Sequence, residues 1–92
     1  MRYVIVAIHD TAVGAYMQPF FVRSKGEAMR AFLDSVADPK MAFHHHPGDY
    51  HLCYLGEYDD AMGCFLNPKA PEVLMTGLDA ASINAANPAK VL

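Results

Sequence analysis

The densest group of chemically capable residues is the run His44-His45-His46, with Asp49 and His51 close behind it. Imidazole is a good ligand for zinc, nickel or copper, so two or three of these rings could chelate. Adjacent residues of an extended loop point in different directions, however, and none of the usual zinc spacings is present. The run therefore reads as a solvated or interface loop, and no metal or other cofactor is expected. A second cluster, Glu57, Asp59 and Asp60, has the donor set for Mg²⁺ and phosphoryl chemistry. Aspartates also belong in hairpin turns, where the carboxylate bonds the local backbone. No glycine-rich phosphate loop, nucleophile elbow or Cys-His dyad at a recognisable spacing accompanies either cluster. Catalysis lacks its parts, and the chain is expected not to be an enzyme.

Nucleic-acid binding has better material. Arg23, Lys25 and Arg30 form a short basic segment that could meet phosphates, and Tyr3, Tyr16, Phe20, Tyr50, Tyr54 and Tyr58 could stack on bases. The residues nominated for this role are Arg23, Lys25, Arg30, Tyr16 and Tyr54. Against it, aromatics in a sheet more often fill a core or a subunit interface, and the RNA-recognition signature with its Lys/Arg-Gly-aromatic run is absent. A strong nonspecific grip on duplex DNA needs a basic excess, whereas the net charge is −3 and residues 52–92 hold two bases, Lys69 and Lys90, against five acids. Any such contact must be local and modest.

The elements that position these residues follow from patterning. Residues 2–9 are β-branched and almost wholly apolar, the mark of a strand covered on both faces. A polar turn at residues 10–14 leads to a return strand over 15–22, where Pro19 demands an edge position or a bulge. Ser24-Lys25-Gly26-Glu27 fits a capping box and opens a helix to about Ala37. That helix buries Ala28, Met29, Phe32, Leu33 and Val36, with Arg30 and Asp34 spaced to pair on the other side. Asp38-Pro39 stops it. Residues 39–49 read as a loop, 50–58 as a third strand, 59–63 as a turn and 64–66 as a fourth strand cut short by Pro68, with a further short strand over 72–76. With Glu57 opposite Cys64 in that hairpin, Cys53 lies roughly 13 Å from Cys64 at strand rise, too far for a disulfide. Both thiols are expected free, in a reducing compartment. No internal repeat is evident beyond the two hairpins, whose sequences do not match.

These readings assemble into one α+β domain, ββαββ, over residues 1–76, with residues 77–92 a weakly helical or mobile tail. A chain of 92 residues, 53% hydrophobic, is large enough for one core and too small for two. Nothing approaches a membrane span, and no leader is expected, because Met1-Arg2 runs straight into the first strand. One helix covers one face of an antiparallel four-stranded sheet. Yet Val4, Val6 and Ile8 oppose Tyr3, Ile5 and Ala7, while Tyr50, Leu52, Tyr54 and Tyr58 oppose Cys53 and Leu55. The second face needs a cover, and self-association into a homodimer or higher oligomer is the simplest one.

Four segments in order, Gln18-Pro19-Phe20-Phe21, residues 24–32 (SKGEAMRAF), His46-Pro47-Gly48-Asp49-Tyr50 and residues 54–60 (YLGEYDD), resemble the small nonstructural protein of gokushoviruses, single-stranded DNA phages of the microvirus family. The resemblance spans roughly residues 1–66. It implies a DNA-binding accessory protein in the cytoplasm of an infected bacterium. By analogy with related microviruses, such a protein helps switch synthesis from duplex replication to single-strand production and packaging, alongside viral replication or packaging proteins. It carries over no catalytic residue. The alternative is a protein–protein adaptor that acts through the uncovered sheet face and binds no nucleic acid.

Overall fold

The computed structural model describes residues 1–86, so the expected tail's residues 87–92 lie outside the described part. The architecture is α+β, an open antiparallel sheet with helices on one face. Two long strands, β1 (Arg2–Asp10) and β4 (Tyr50–Asp59), pair along their length at the centre. β2 (Ala15–Tyr16) and β3 (Phe20–Val22) lie end to end on the free edge of β1. β5 (Cys64–Leu66) and β6 (Glu72–Thr76) do the same on β4. The expected ββαββ order, with four strands and one helix, is not what forms: the described residues hold six strands and three α-helices, the return strand over 15–22 being split in two and the short segment over 72–76 joining the sheet. Proline is the reason: Pro19 separates β2 from β3, and Pro68 and Pro71 separate β5 from β6, because neither a missing N–H nor a fixed φ suits a ladder.

Helix α1 (Lys25–Ala37) starts as its sequence requires, with the Ser24 hydroxyl accepting from the Glu27 N–H at 3.1 Å. Ala28, Phe32 and Val36 are buried, with Met29 and Leu33 packed at the margin. No ion pair joins Arg30 to Asp34; the cations paired among the described residues are the Met1 ammonium, Arg2 and Lys25. The loop expected over residues 39–49 holds a one-turn helix, α2 (Ala42–His45), and a 3-10 turn, Pro47–Asp49.

Residues 77–86, part of the stretch expected to be weakly helical or mobile, form the helix α3 (Gly77–Ala86). Its apolar stripe is poor because small and polar groups hold it. Thr76 and Asp79 form a reciprocal capping box, the Asp79 N–H reaching the Thr76 hydroxyl at 3.0 Å and the Thr76 N–H reaching the Asp79 carboxylate at 3.3 Å. Gly77 lies so close to the Pro47 carbonyl that no Cβ would fit. Ala80 is fully buried, and the Asn84 amide donates to the Leu33 carbonyl of α1 at 2.9 Å.

Both long helices cover the same face. Val6, Ile8, Leu52 and Met75 of the sheet join Phe32, Val36 and Ala80 in one core cluster, with Phe43 of α2 at its edge. Burying a side chain such as Phe32 contributes about 2–3 kcal/mol.

The two hairpins prove to be copies of each other. β1 ends and β2 begins in DTAVGAYMQP (residues 10–19); β4 ends and β5 begins in DDAMGCFLNP (residues 59–68). Asp, Ala, Gly and Pro coincide, and the other changes keep size and polarity broadly alike except at Thr11 and Asp60, where a hydroxyl stands against a carboxylate. The turns, at opposite ends of the β1–β4 pair, share one geometry as well. The Gly14 N–H reaches the Asp10 carbonyl at 2.8 Å, and the Gly63 N–H reaches the Asp59 carbonyl at 2.8 Å. Each aspartate carboxylate also accepts from the two amides at Ala12 and Val13, or at Ala61 and Met62, and each glycine has a positive φ, +80° and +65°. Each hairpin is followed by a proline break, a second edge strand and a helix opened by Ser24/Glu27 or Thr76/Asp79. The chain is thus two β-β-β-α units related by an approximate two-fold axis between β1 and β4, a repeat the sequence reading had not found.

Candidate nucleic-acid interface and the open sheet face

The bulge in β4 decides which face each aromatic occupies. Ile5 pairs with Gly56 and Val6 with Tyr54, leaving Leu55 as an extra residue. Gly56 has φ +142°, a conformation that side chains resist, and a Cβ there would strike the Leu66 carbonyl oxygen. Strict alternation had put Tyr58 on the side of Tyr50, Leu52 and Tyr54. The extra residue inverts the parity, and Tyr58 lies opposite Tyr3 on the other face.

The same registers place Tyr3, Ile5, Ala7 and His9 of β1 on the face without helices, with His51, Cys53 and Tyr58 of β4 beside them. Tyr16, Phe21, Phe65 and Val73 complete it from the edge strands. At one end the rings form a row: Tyr3 to Phe21 at 6.5 Å, Phe21 to Tyr58 at 5.9 Å, Tyr58 to Phe65 at 5.1 Å. At the other, Tyr16 stacks flat on His9 at 4.3 Å, with His51 alongside. Between them Ile5, Ala7 and Cys53 are buried but belong to no helix-backed cluster. No strand residue pointing to this face is Lys, Arg, Asp or Glu.

The nominated binding residues fall on both sides of the sheet. Arg23 follows β3 directly and Arg30 lies on α1 beside a groove of about 470 Å³ between α1 and α3; both are exposed. Lys25, on the first turn of α1, stands 4.3 Å from the Tyr54 ring centroid and 4.0 Å from Glu72. Tyr54 is thus on the helical side, its ring under an ammonium; burial and the carboxylates of Glu57 and Glu72 push its hydroxyl up in pKa. Tyr16 is on the open face. Lys25 and Tyr54 meet at the start of α1 on the helical side, Arg23 immediately precedes that helix, Arg30 lies more than a turn further along it beside the groove, and Tyr16 is on the open face. The row Tyr3–Phe21–Tyr58–Phe65 was missed as a unit; a glycine inside a strand pattern was the available sign that the parity changes.

The other clusters serve structure. His44 Nδ1 donates to the Val36 carbonyl at 2.8 Å and His45 Nε2 to the Pro39 carbonyl at 2.8 Å, which ties the chain back onto the end of α1. Among the described residues no three His, Cys, Asp or Glu side chains are placed to share a metal. Glu57 and Asp59 flank Arg2, and Asp60 holds the Met1 ammonium at 2.6 Å. The hairpin pairs Asp59, not Glu57, with Cys64, which carries Cys53 still further away, and both cysteines are free thiols. A second cleft, about 320 Å³, lies under the β2–β3 break between Met17, Phe20, Phe32 and Met41.

Fold and site together define a small α+β protein with an uncharged aromatic sheet face and a basic helix start behind it. No described helix is long and apolar enough to cross a membrane. No curated protein and no solved structure matches the chain. Residues 3–80 match the family described as Phage ORF5 protein, and the chain belongs to that family.

Proposed function

We propose that this phage protein is a non-catalytic accessory protein, homo-oligomeric and of the gokushovirus type. It contacts single-stranded DNA during the switch from genome replication to single-strand synthesis and packaging, in the cytoplasm of the infected bacterium. The observation that supports it is the exposure of Arg23, Lys25 and Arg30 just before and within the first half of α1, with Arg23 and Arg30 outside the ion pairs described. Three cations meeting phosphates give a slope in log K against log salt of about −2 per protomer, a weak and strongly salt-dependent contact.

Titration of a labelled single-stranded oligonucleotide at low and moderate salt tests this. Binding should appear at low salt, weaken with salt, and lose about 0.7 of slope for each cation removed in Arg23→Ala and Arg30→Ala. No binding at low salt, or binding without a salt slope, would end the phosphate role. One observation favours the alternative, an adaptor that binds protein alone: the strand residues of the open face include the exposed aromatics but no Lys or Arg to hold a phosphate.

A further inference from the structure

We infer that the open sheet face is a two-fold interface with a second copy of this chain, packed face to face. The inference rests on the homo-oligomer in the proposed function but not on its DNA contact.

Three observations select a second copy. The first is that the sheet edges are closed to it. A protein can self-associate by adding strands to an edge, but here each outer lane is interrupted by proline, between β2 and β3 and between β5 and β6. No run of free N–H groups as long as β1 or β4 remains on either edge, so association is directed to the face. The second is charge. A face whose strand residues include no Lys, Arg, Asp or Glu, with His9 and His51 as its ionisable imidazoles, offers little to a polyanion or to a strongly charged peptide, and like faces meet without fixed carboxylate, ammonium or guanidinium charges opposed. Its relief is also matched about the approximate two-fold. The pair Tyr58–Phe65 in the second repeat answers to His9–Tyr16 in the first, which puts an aromatic pair at each end of a floor of Ile5, Ala7 and Cys53. An isologous contact needs such a self-complementary patch.

The third is area. Tyr16, Phe21, Phe65 and Val73 are 46%, 51%, 59% and 51% exposed, and Tyr3, Tyr58, His9 and His51 are half-buried. At ~150–250 Å² for each aromatic side chain, about 500–600 Å² of one protomer remains to be covered. Two faces together bury about 1,000–1,200 Å², the lower limit of specific interfaces, where a weak affinity is expected.

Sedimentation equilibrium without DNA, over about 10–200 µM to bracket that affinity, should give a mass rising toward twice 10.1 kDa. Phe21→Glu and Phe65→Glu place a carboxylate on the exposed ring positions and should hold the mass at 10.1 kDa at every concentration. Isotope-filtered NOE spectra on a mixture of labelled and unlabelled unmodified chain should show contacts between copies from the rings of Phe21, Tyr58 and Phe65; this measurement stands even where a glutamate variant fails to fold. An unmodified chain that stays monomeric, variants that still dimerise, or contacts between copies arising from α1 would each overturn the inference. So would a monomer whose oligonucleotide binding is lost in both variants, since the face would then be a base-stacking platform. Loss of DNA binding with dimerisation intact would strike only the proposed function.

Discussion

Replacing Gly56 by alanine is the sharpest probe of the bulge that aims Tyr58. Alanine at φ +142° costs about 1–3 kcal/mol of backbone strain. Its Cβ would also press on the Leu66 carbonyl oxygen and on Asn67, and neither can yield without moving β5, so overpacking adds about 1–3 kcal/mol. A loss of about 2–6 kcal/mol follows, against a total of about 5–14 kcal/mol for a domain of this size. In Tm that is a drop of about 8–48 °C. Two other glycines calibrate it. Gly14 has φ +80° with nothing within 4 Å, so Gly14→Ala isolates the strain, about 1–2 kcal/mol. Gly26 sits in the first turn of α1 with only the Ser24 hydroxyl near, at 3.8 Å, so Gly26→Ala should gain about 0.4–1 kcal/mol. Urea and thermal unfolding followed by circular dichroism give all three. The reasoning fails if Gly56→Ala loses no more than Gly14→Ala, because the close approach to β5 would then be without energetic consequence. A Gly56→Ala chain that survives by straightening the strand should carry Tyr58 off the open face and self-associate more weakly.

The two helix caps should respond alike to truncation: Ser24→Ala and Thr76→Ala each lose about 1 kcal/mol in denaturant unfolding, and a neutral Thr76→Ala would mean that α3 does not depend on its box. Asn84→Ala removes the amide that ties α3 to the Leu33 carbonyl and should cost about 0.5–1.5 kcal/mol, read as faster amide exchange in α3 than in β1. The thiols should separate kinetically, with exposed Cys64 reacting with a disulfide reagent in the folded state and buried Cys53 reacting only as the chain opens; equal rates would contradict the packing around Cys53. Burial pushes the Cys53 thiol up in pKa, so the folded chain keeps a proton that the unfolded chain releases. This contribution to stability is therefore intact below the ordinary thiol range of about 8.5 and declines as pH rises through it, a decline that Cys53→Ala should abolish. Arg23→Gln and Arg30→Gln alter exposed cations outside the ion pairs described and should leave unfolding within about 0.5 kcal/mol of the parent while weakening oligonucleotide binding.

Much of the fold was legible because single residues enforce it. Ser24 marks the start of α1, Pro19 breaks the return strand, and the β-branched run in β1 announces a central strand. α3 was not legible as an ordered helix by apolar periodicity, since Gly77 and Ala80 pack by being small and Asn84 by bonding a carbonyl; only Thr76 and Asp79 spelled it out, as a capping box. The repeat was hidden for a different reason. Val for Met, Ala for Cys, Tyr for Phe, Met for Leu and Gln for Asn each preserve what the hairpin needs physically while changing the letter. The candidate site was legible in composition but not in arrangement. Whether Tyr16, Tyr54 and Tyr58 share a surface depends on the register around Leu55 and Gly56, and a period of two cannot see an inserted residue.

The two repeats agree where the fold needs them and differ at the cations proposed to meet phosphates. Aligned on their caps, Ser24 and Thr76, the first repeat has Arg23, Lys25 and Arg30 where the second has Met75, Gly77 and Ser82. Met75 is buried in the core and Gly77 against the Pro47 carbonyl, so the second repeat uses those positions to pack. The first leaves the same positions charged and exposed. A scaffold that forms one of its helices without cations does not need them to form the other, and the basic group is therefore an addition to the architecture. For the face-to-face dimer proposed above the consequence would be geometric. The open faces would meet at the centre, both α1 helices would lie on the outside, and a strand of DNA would meet the cations of α1 on opposite sides of the particle rather than in a single groove.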